Sequence, residues 1–124
     1  MLVDTDIFVD YFRKVPSARD FFNTSSDIHT SQVVVMELIA GFSKKQEIKK
    51  LENFLISLQI NLISIDEGIS SIALDIFIKY RHSSNLSITD ALLAATAFTS
   101  DQKLVTRNLK HFRSIKGLEI VKPY

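Results

Sequence analysis

The chain has 124 residues, 46% of them hydrophobic, and its 15 Lys and Arg against 14 Asp and Glu leave a net charge of +1. That length suits one domain, residues 1–124, which can bury roughly two-thirds of its unfolded surface. There is no cysteine, which excludes disulfides and thiolate metal sites. No apolar run approaches the roughly 18 residues of a membrane span, so a soluble, cytoplasmic protein is expected.

Leu2–Asp4 reads as a first strand, and a helix bearing Ile7, Phe8, Tyr11 and Phe12 follows it. If the strand continues, Asp4 and Asp6 share one face; if it stops at Thr5, Asp6 becomes the helix cap. A second helical stretch, Ser17–Phe22, follows Pro16. Ile28–Thr30 is a second strand, and Ser31 caps a helix through Phe42 with Gly41 near its end. Lys45–Leu58 has helical apolar spacing at Ile48, Leu51, Phe54, Leu55 and Leu58.

Leu62, Ile63 and Ile65 form a third strand. Asp66 caps a long helix to about His82, on which Asp75 and Lys79 are spaced for an ion pair. Ser87 begins another helix through Phe98, then Leu104–Thr106 and Leu118–Val121 complete five strands. Strands alternating with helices predict a three-layer α/β/α fold around a parallel sheet of about five strands. Functional groups in such folds collect at the carboxyl ends of strands, where Asp4 and Thr106 fall.

Three carboxylates lie in apolar stretches: Asp4 in Met-Leu-Val-Asp, Glu37 in Val-Val-Val-Met-Glu-Leu-Ile-Ala, and Asp90 in Ile-Thr-Asp-Ala-Leu-Leu. Burying an ionised carboxylate is costly without a compensating charge. No Arg or Lys stands in the same stretches, and oxygen-only ligation points to a hard divalent cation, Mg²⁺ or Mn²⁺. Glu37 sits on a helix that is apolar on nearly every side, so it is expected to be buried. Asp90 also completes a capping box, Ser87-Ile-Thr-Asp90, a role compatible with metal binding.

From Lys103 onward there are six basic residues and one acid, a local balance of +5, which suits a phosphate polymer beside an acidic site. The second basic run, Lys44, Lys45, Lys49 and Lys50, is interrupted by Glu47. His29, His82 and His111 are too scattered for a zinc signature. No glycine-rich phosphate loop and no nucleophile elbow is present.

Taken together, Leu-Val-Asp4-Thr-Asp6-Ile-Phe-Val-Asp-Tyr-Phe, Met-Glu37-Leu-Ile-Ala-Gly, Ser-Ile-Thr-Asp90-Ala-Leu-Leu-Ala-Ala and Leu-Val-Thr106-Arg107-Asn108-Leu-Lys-His-Phe112 resemble the motifs of PIN-domain nucleases of the VapC toxin family. The resemblance covers essentially the whole chain, with the motifs in the family's order. It implies a Mg²⁺- or Mn²⁺-dependent endoribonuclease, the toxin of a toxin–antitoxin pair, homodimeric and silenced by a VapB-type antitoxin. Carried over by position, Asp4 and Asp90 are the principal metal ligands and Glu37 a third acid, with Asp6, Thr106 and Asn108 as supporting polar groups. Arg107, Lys110 and Arg113 are placed to hold RNA phosphates, and single-stranded or loop RNA is the expected substrate.

Many PIN domains carry a further Asp after Thr106, where this chain has Asn108 and His111. That argues against a second tightly held metal. Two rival readings remain at this level: a PIN-like module that binds RNA or a partner without cutting, and a phosphoacceptor receiver domain with Asp66 after its third strand.

Overall fold

A computed structural model describes the whole chain, Met1–Tyr124. In order, the elements are β1 (Leu2–Val3), α1 (Thr5–Phe12), α2 (Pro16–Thr24), β2 (His29–Ser31), α3 (Gln32–Ala40), α4 (Gln46–Ser57), β3 (Asn61–Ile63), α5 (Glu67–Ser84), α6 (Ile88–Thr99), β4 (Leu104–Val105), α7 (Leu109–Phe112) and β5 (Ile120–Val121). The five strands form one sheet in the order β3-β2-β1-β4-β5, and every pairing is parallel. Helices cover both of its faces, giving the expected three-layer α/β/α architecture. No helix is long and apolar enough to cross a membrane.

The strand order disposes of the receiver-domain reading. A receiver-type sheet follows the order 2-1-3-4-5, with its switch point between the first and third strands. Here the chain steps outward from β1 to β2 to β3, then crosses to the far side of β1 for β4 and β5. The switch point therefore lies between β1 and β4. Their register, Leu2 opposite Leu104 and Val3 opposite Val105, brings Asp4 and Thr106 side by side just past the strand ends.

The central strands are short because their four residues, Leu2, Val3, Leu104 and Val105, are all but fully buried and supply only the sheet's core. On one side, Phe8, Tyr11, Phe22 and Phe54 interlock α1, α2 and α4, with ring centroids 4.4 to 6.1 Å apart. Such pairs add about 0.5–1.5 kcal/mol each beyond the area they bury. On the other side α5 packs along α6, whose Ala91, Ala94, Ala95 and Ala97 permit close approach.

Several local expectations need correction. β1 ends one residue early, so Asp4 rather than Asp6 is the α1 cap, its Oδ1 accepting from the Thr5 N–H at 2.6 Å. Asp75 and Lys79 form no ion pair; the Lys79 ammonium lies over the Tyr80 ring, 5.4 Å from its centre. Ile65 falls beyond β3. The four-residue helix α7 was not anticipated, although Leu109 and Phe112 have the spacing for it and Phe112 is fully buried. Ser31, Asp66 and Ser87 cap their helices as expected, and Asn85 ends α5 in the left-handed region.

Candidate active site at the sheet switch point

Asp4 emerges from β1 into an open cleft of about 360 Å³, also lined by Asp6, Asp10, Glu37, Asp90, Arg13 and Asn108. Five carboxylates thus meet here beside Arg13, and one of them, Asp10, is paired with Arg107. Asp4 is buried, held from two sides: its Oδ1 accepts from the Thr5 N–H, and its Oδ2 from the Thr106 hydroxyl at 2.8 Å. Thr106, fully buried at the end of β4, is itself held by the sheet through its N–H to Val121 O at 3.0 Å.

Burial, followed by the neighbouring charge of Asp6, pushes the Asp4 carboxyl up to about 7, while the Thr106 and Thr5 hydrogen bonds oppose the rise. Asp6 is raised in the same direction, first by burial, and is opposed by the Arg107 N–H, which donates to its Oδ2 at 2.9 Å. The other oxygen, Asp6 Oδ1, is buried and has no hydrogen-bond partner. An acceptor left bare in an acidic cleft is costly, and a cation relieves that cost.

Glu37 departs from expectation, because the residue is exposed at the cleft rim rather than buried. The apolar run around it misled: α3 leaves Met36 60% exposed, so its apolar character does not mean burial on every side. The Glu37 carboxylate nevertheless turns inward, accepting from the Thr5 hydroxyl at 3.1 Å, and partial desolvation there raises its pKa.

Asp90 forms the expected capping box and also lines the cleft. Ser87 Oγ accepts from the Asp90 N–H at 3.0 Å, and Asp90 Oδ2 accepts from the Ser87 N–H at 3.1 Å. The same Oδ2 lies 2.9 Å from His111 Nδ1, which is also 2.9 Å from Asn108 Nδ2. One ring nitrogen cannot donate to Asp90 and accept from Asn108 at once, so the two contacts compete. Asn108 and His111 thus connect the post-Thr106 segment to Asp90 without adding a carboxylate.

Sequence reasoning missed Asp10. It lies one helical turn after Asp6 on α1, a spacing that places both on one face. Its Oδ2 accepts from Arg107 Nη1 at 2.6 Å and from the Tyr124 hydroxyl at 2.9 Å. The Arg107 guanidinium is thereby occupied, and lies over the Tyr124 ring at 5.5 Å. Lys110 and Arg113 are exposed on and just after α7 and do not line the cleft.

The donor set is all oxygen, which suits a hard cation. No three acidic or histidine side chains converge closely enough to cage an ion unaided. The oxygen donors of the cleft and the unpartnered Asp6 Oδ1 fit an ion held by one or two carboxylates with its remaining positions open to water and substrate, the usual state of Mg²⁺.

A family model for the PIN domain matches residues 1–118. Ribonuclease VapC19 of Mycobacterium tuberculosis is 33% identical over 123 residues, covering 95% of this chain and 96% of that protein. A toxin–antitoxin complex from Klebsiella pneumoniae superposes with a TM-score of 0.78 at 29% identity, covering 99% of this chain and 97% of its counterpart. A DNA-bound VapBC complex from Salmonella typhimurium shares the fold with a TM-score of 0.83 at 22% identity, over 99% and 97% of the two chains. The chain belongs to the PIN-domain family, in its VapC branch.

Proposed function

We propose that the protein is a Mg²⁺- or Mn²⁺-dependent endoribonuclease and the toxin of a toxin–antitoxin pair. The observation that carries this reading is the cleft at the β1–β4 switch point, where Asp4, Asp6, Glu37 and Asp90 gather beside Arg13, Asp10 being paired with Arg107, and Asp6 Oδ1 has no partner. The name of the ribonuclease relative and the complexes among the structural relatives support it.

Asp4 and Asp90 would hold the cation, with Glu37 at the rim as a third acid. A divalent ion so held lowers the pKa of water and stabilises charge on a scissile phosphate. The chain's own residues set the conditions for that. Thr106 and the Thr5 N–H fix both oxygens of Asp4, and the Arg107 N–H fixes one oxygen of Asp6. His111 orients Asp90, and the Asp10 pair keeps Arg107 beside the cleft. In-line attack by water would leave a 5′-phosphate and a 3′-hydroxyl.

A VapB-type antitoxin is the proposed partner. An apolar groove of about 250 Å³ that includes Phe12, Leu38 and Phe42 shares Val9, Arg13 and Glu37 with the cleft, so a bound tail would reach the acids. A homodimer would have Leu74, Ile78 and Ile88 to cover; each is at least 60% exposed.

The test is cleavage of total cellular RNA by the purified chain with and without Mn²⁺, together with Asp4→Asn and Asp90→Asn. Both substitutions should abolish cleavage and relieve growth arrest on expression. RNA binding without metal-stimulated cleavage would instead favour a non-cutting module.

A further inference from the structure

The cleft is acidic, so it cannot by itself attract an RNA strand; affinity for a polyanion must come from basic surface beside it. Two segments supply that surface. Residues 76–89, the end of α5 and the turn into α6, and residues 107–118, around α7, contain no acid. They are brought together in the fold: α5 contacts α7, the Ser84 hydroxyl meets that of Ser114, and the Lys116 N–H donates to the Tyr80 hydroxyl at 3.0 Å.

Beside this junction Arg81, Lys110, Arg113 and Lys116 are all exposed. None of the four takes part in a salt bridge. The lysine run around α4 is different, because Lys49 pairs with Glu52 and Glu47 lies among the others. A patch of mixed sign is a poor track for phosphates, whereas four cations of one sign form a good one.

The basic face also reaches the cleft. A groove of about 480 Å³ is lined by Phe77, Arg81, Asn85, Ser87, Ile88 and His111, with Ile88 at its border with the face a homodimer would cover. His111 is its wall on the cleft side, with Nδ1 on Asp90. Within the groove the Arg81 guanidinium lies 5.9 Å from the centre of the Phe77 ring, a polar and planar pairing suited to a phosphate and a base of an unstacked strand.

We propose that single-stranded RNA is carried along the α5–α7 face, its phosphates on Arg81, Lys110, Arg113 and Lys116, and one nucleotide seated in the Phe77–Arg81 groove beside His111. This rests on the ribonuclease reading for its substrate, but its test does not require cleavage.

The experiment measures binding of a short fluorescein-labelled oligoribonucleotide of mixed sequence to the wild-type chain in chelator, over a salt series. Arg81→Gln and Arg113→Gln together should make the slope of log affinity against log salt shallower by about 1.4, two charges at about 0.7 each, and weaken binding about fivefold per charge at roughly 0.1 M salt. Lys44→Gln with Lys49→Gln should change neither. All four positions are exposed, so folding is not at risk, and thermal melts check it. The proposal is overturned if the wild type does not bind, if the α4 pair matters and the α5–α7 pair does not, or if a polyglutamate peptide displaces RNA at matched charge concentration. Cleavage with a KM indifferent to Arg81 and Arg113 would sink the track and leave the nuclease standing. Loss of binding in those variants, without cleavage by any form, would do the reverse.

Discussion

Thr106 donates its hydroxyl proton to Asp4 Oδ2 at 2.8 Å, a contact between residues 102 apart in sequence and both buried. The bond stabilises the ionised carboxylate in a place where burial disfavours it. Thr106→Val keeps the shape and removes both the donor to Asp4 and the acceptor of the Asn108 N–H at 3.0 Å, so the Asp4 pKa should rise by roughly 1 to 2 units, the worth of a hydrogen bond to a charged acceptor. In the metal-free protein the Asp4 titration, followed by its carboxyl NMR shift, should move up by the same amount, and Thr106→Ser should restore it. An unmoved curve in Thr106→Val would mean that the Thr106 hydroxyl does not hold the ionised form.

Asp4 also dictates how the metal-free protein responds to pH. Its folded pKa, about 7, stands well above the roughly 3.9 of an unfolded Asp, so the native state binds the extra proton between those values. The stability this confers is complete below about pH 4 and is lost as pH rises through 7. Asp6 and Glu37 are shifted the same way and add to the trend. Metal-free protein should therefore melt higher at about pH 5 than at about pH 8, by a few kcal/mol of unfolding free energy. Asp4→Asn should flatten that dependence and be more stable than wild type at the higher pH. Calorimetry at both pH values decides it, and a rise in stability with pH would contradict the placement of these acids.

Much of this was legible in the sequence because it depends on local pattern. The alternation of apolar strands with capped helices reveals five strands and three correct caps, and the short apolar runs ending at Asp4 and Thr106 place both at strand ends. What was not legible depended on the third dimension. The exposure of Glu37 follows from which side of α3 meets the sheet, and an almost wholly apolar helix carries no periodicity to reveal that. Asp10 looked like ordinary helix surface, because its partners Arg107 and Tyr124 are about a hundred positions away. The same holds for Arg81, whose kinship with α7 appears only when α5 packs against it.

Tyr124 anchors the chain's final segment to the cleft. Its hydroxyl shares Asp10 Oδ2 with Arg107, and burial together with Asp10 holds its pKa above the usual tyrosine range, so it remains a donor at any physiological pH. Tyr124→Phe should cost about 1 kcal/mol, seen as a melting point lower by about 3–5 °C. Tyr124→Leu should cost more, since it also removes the ring beneath the Arg107 guanidinium. Equal melting points for the Phe variant and wild type would mean that Arg107 alone satisfies Asp10.

Asn108 is a neutral amide among the five carboxylates of the cleft. It lines the cleft with Asp4 and Asp90, and its amide lies 2.9 Å from the same His111 nitrogen that meets Asp90. Asn108→Asp adds a sixth carboxylate without changing size. A unit charge about 4 Å away is worth between about 1 kcal/mol in water and about 4 kcal/mol near a protein surface, so Mn²⁺ should bind roughly tenfold more tightly in titration calorimetry above neutral pH. His111 is the competitor: if it takes the new carboxylate as an ion pair, affinity stays at the wild-type level and the expectation fails. Repeating the titration in Asn108→Asp with His111→Ala separates the two, because removing the imidazole frees both acids for the ion. Affinity that remains unchanged even then would place position 108 outside the coordination sphere altogether.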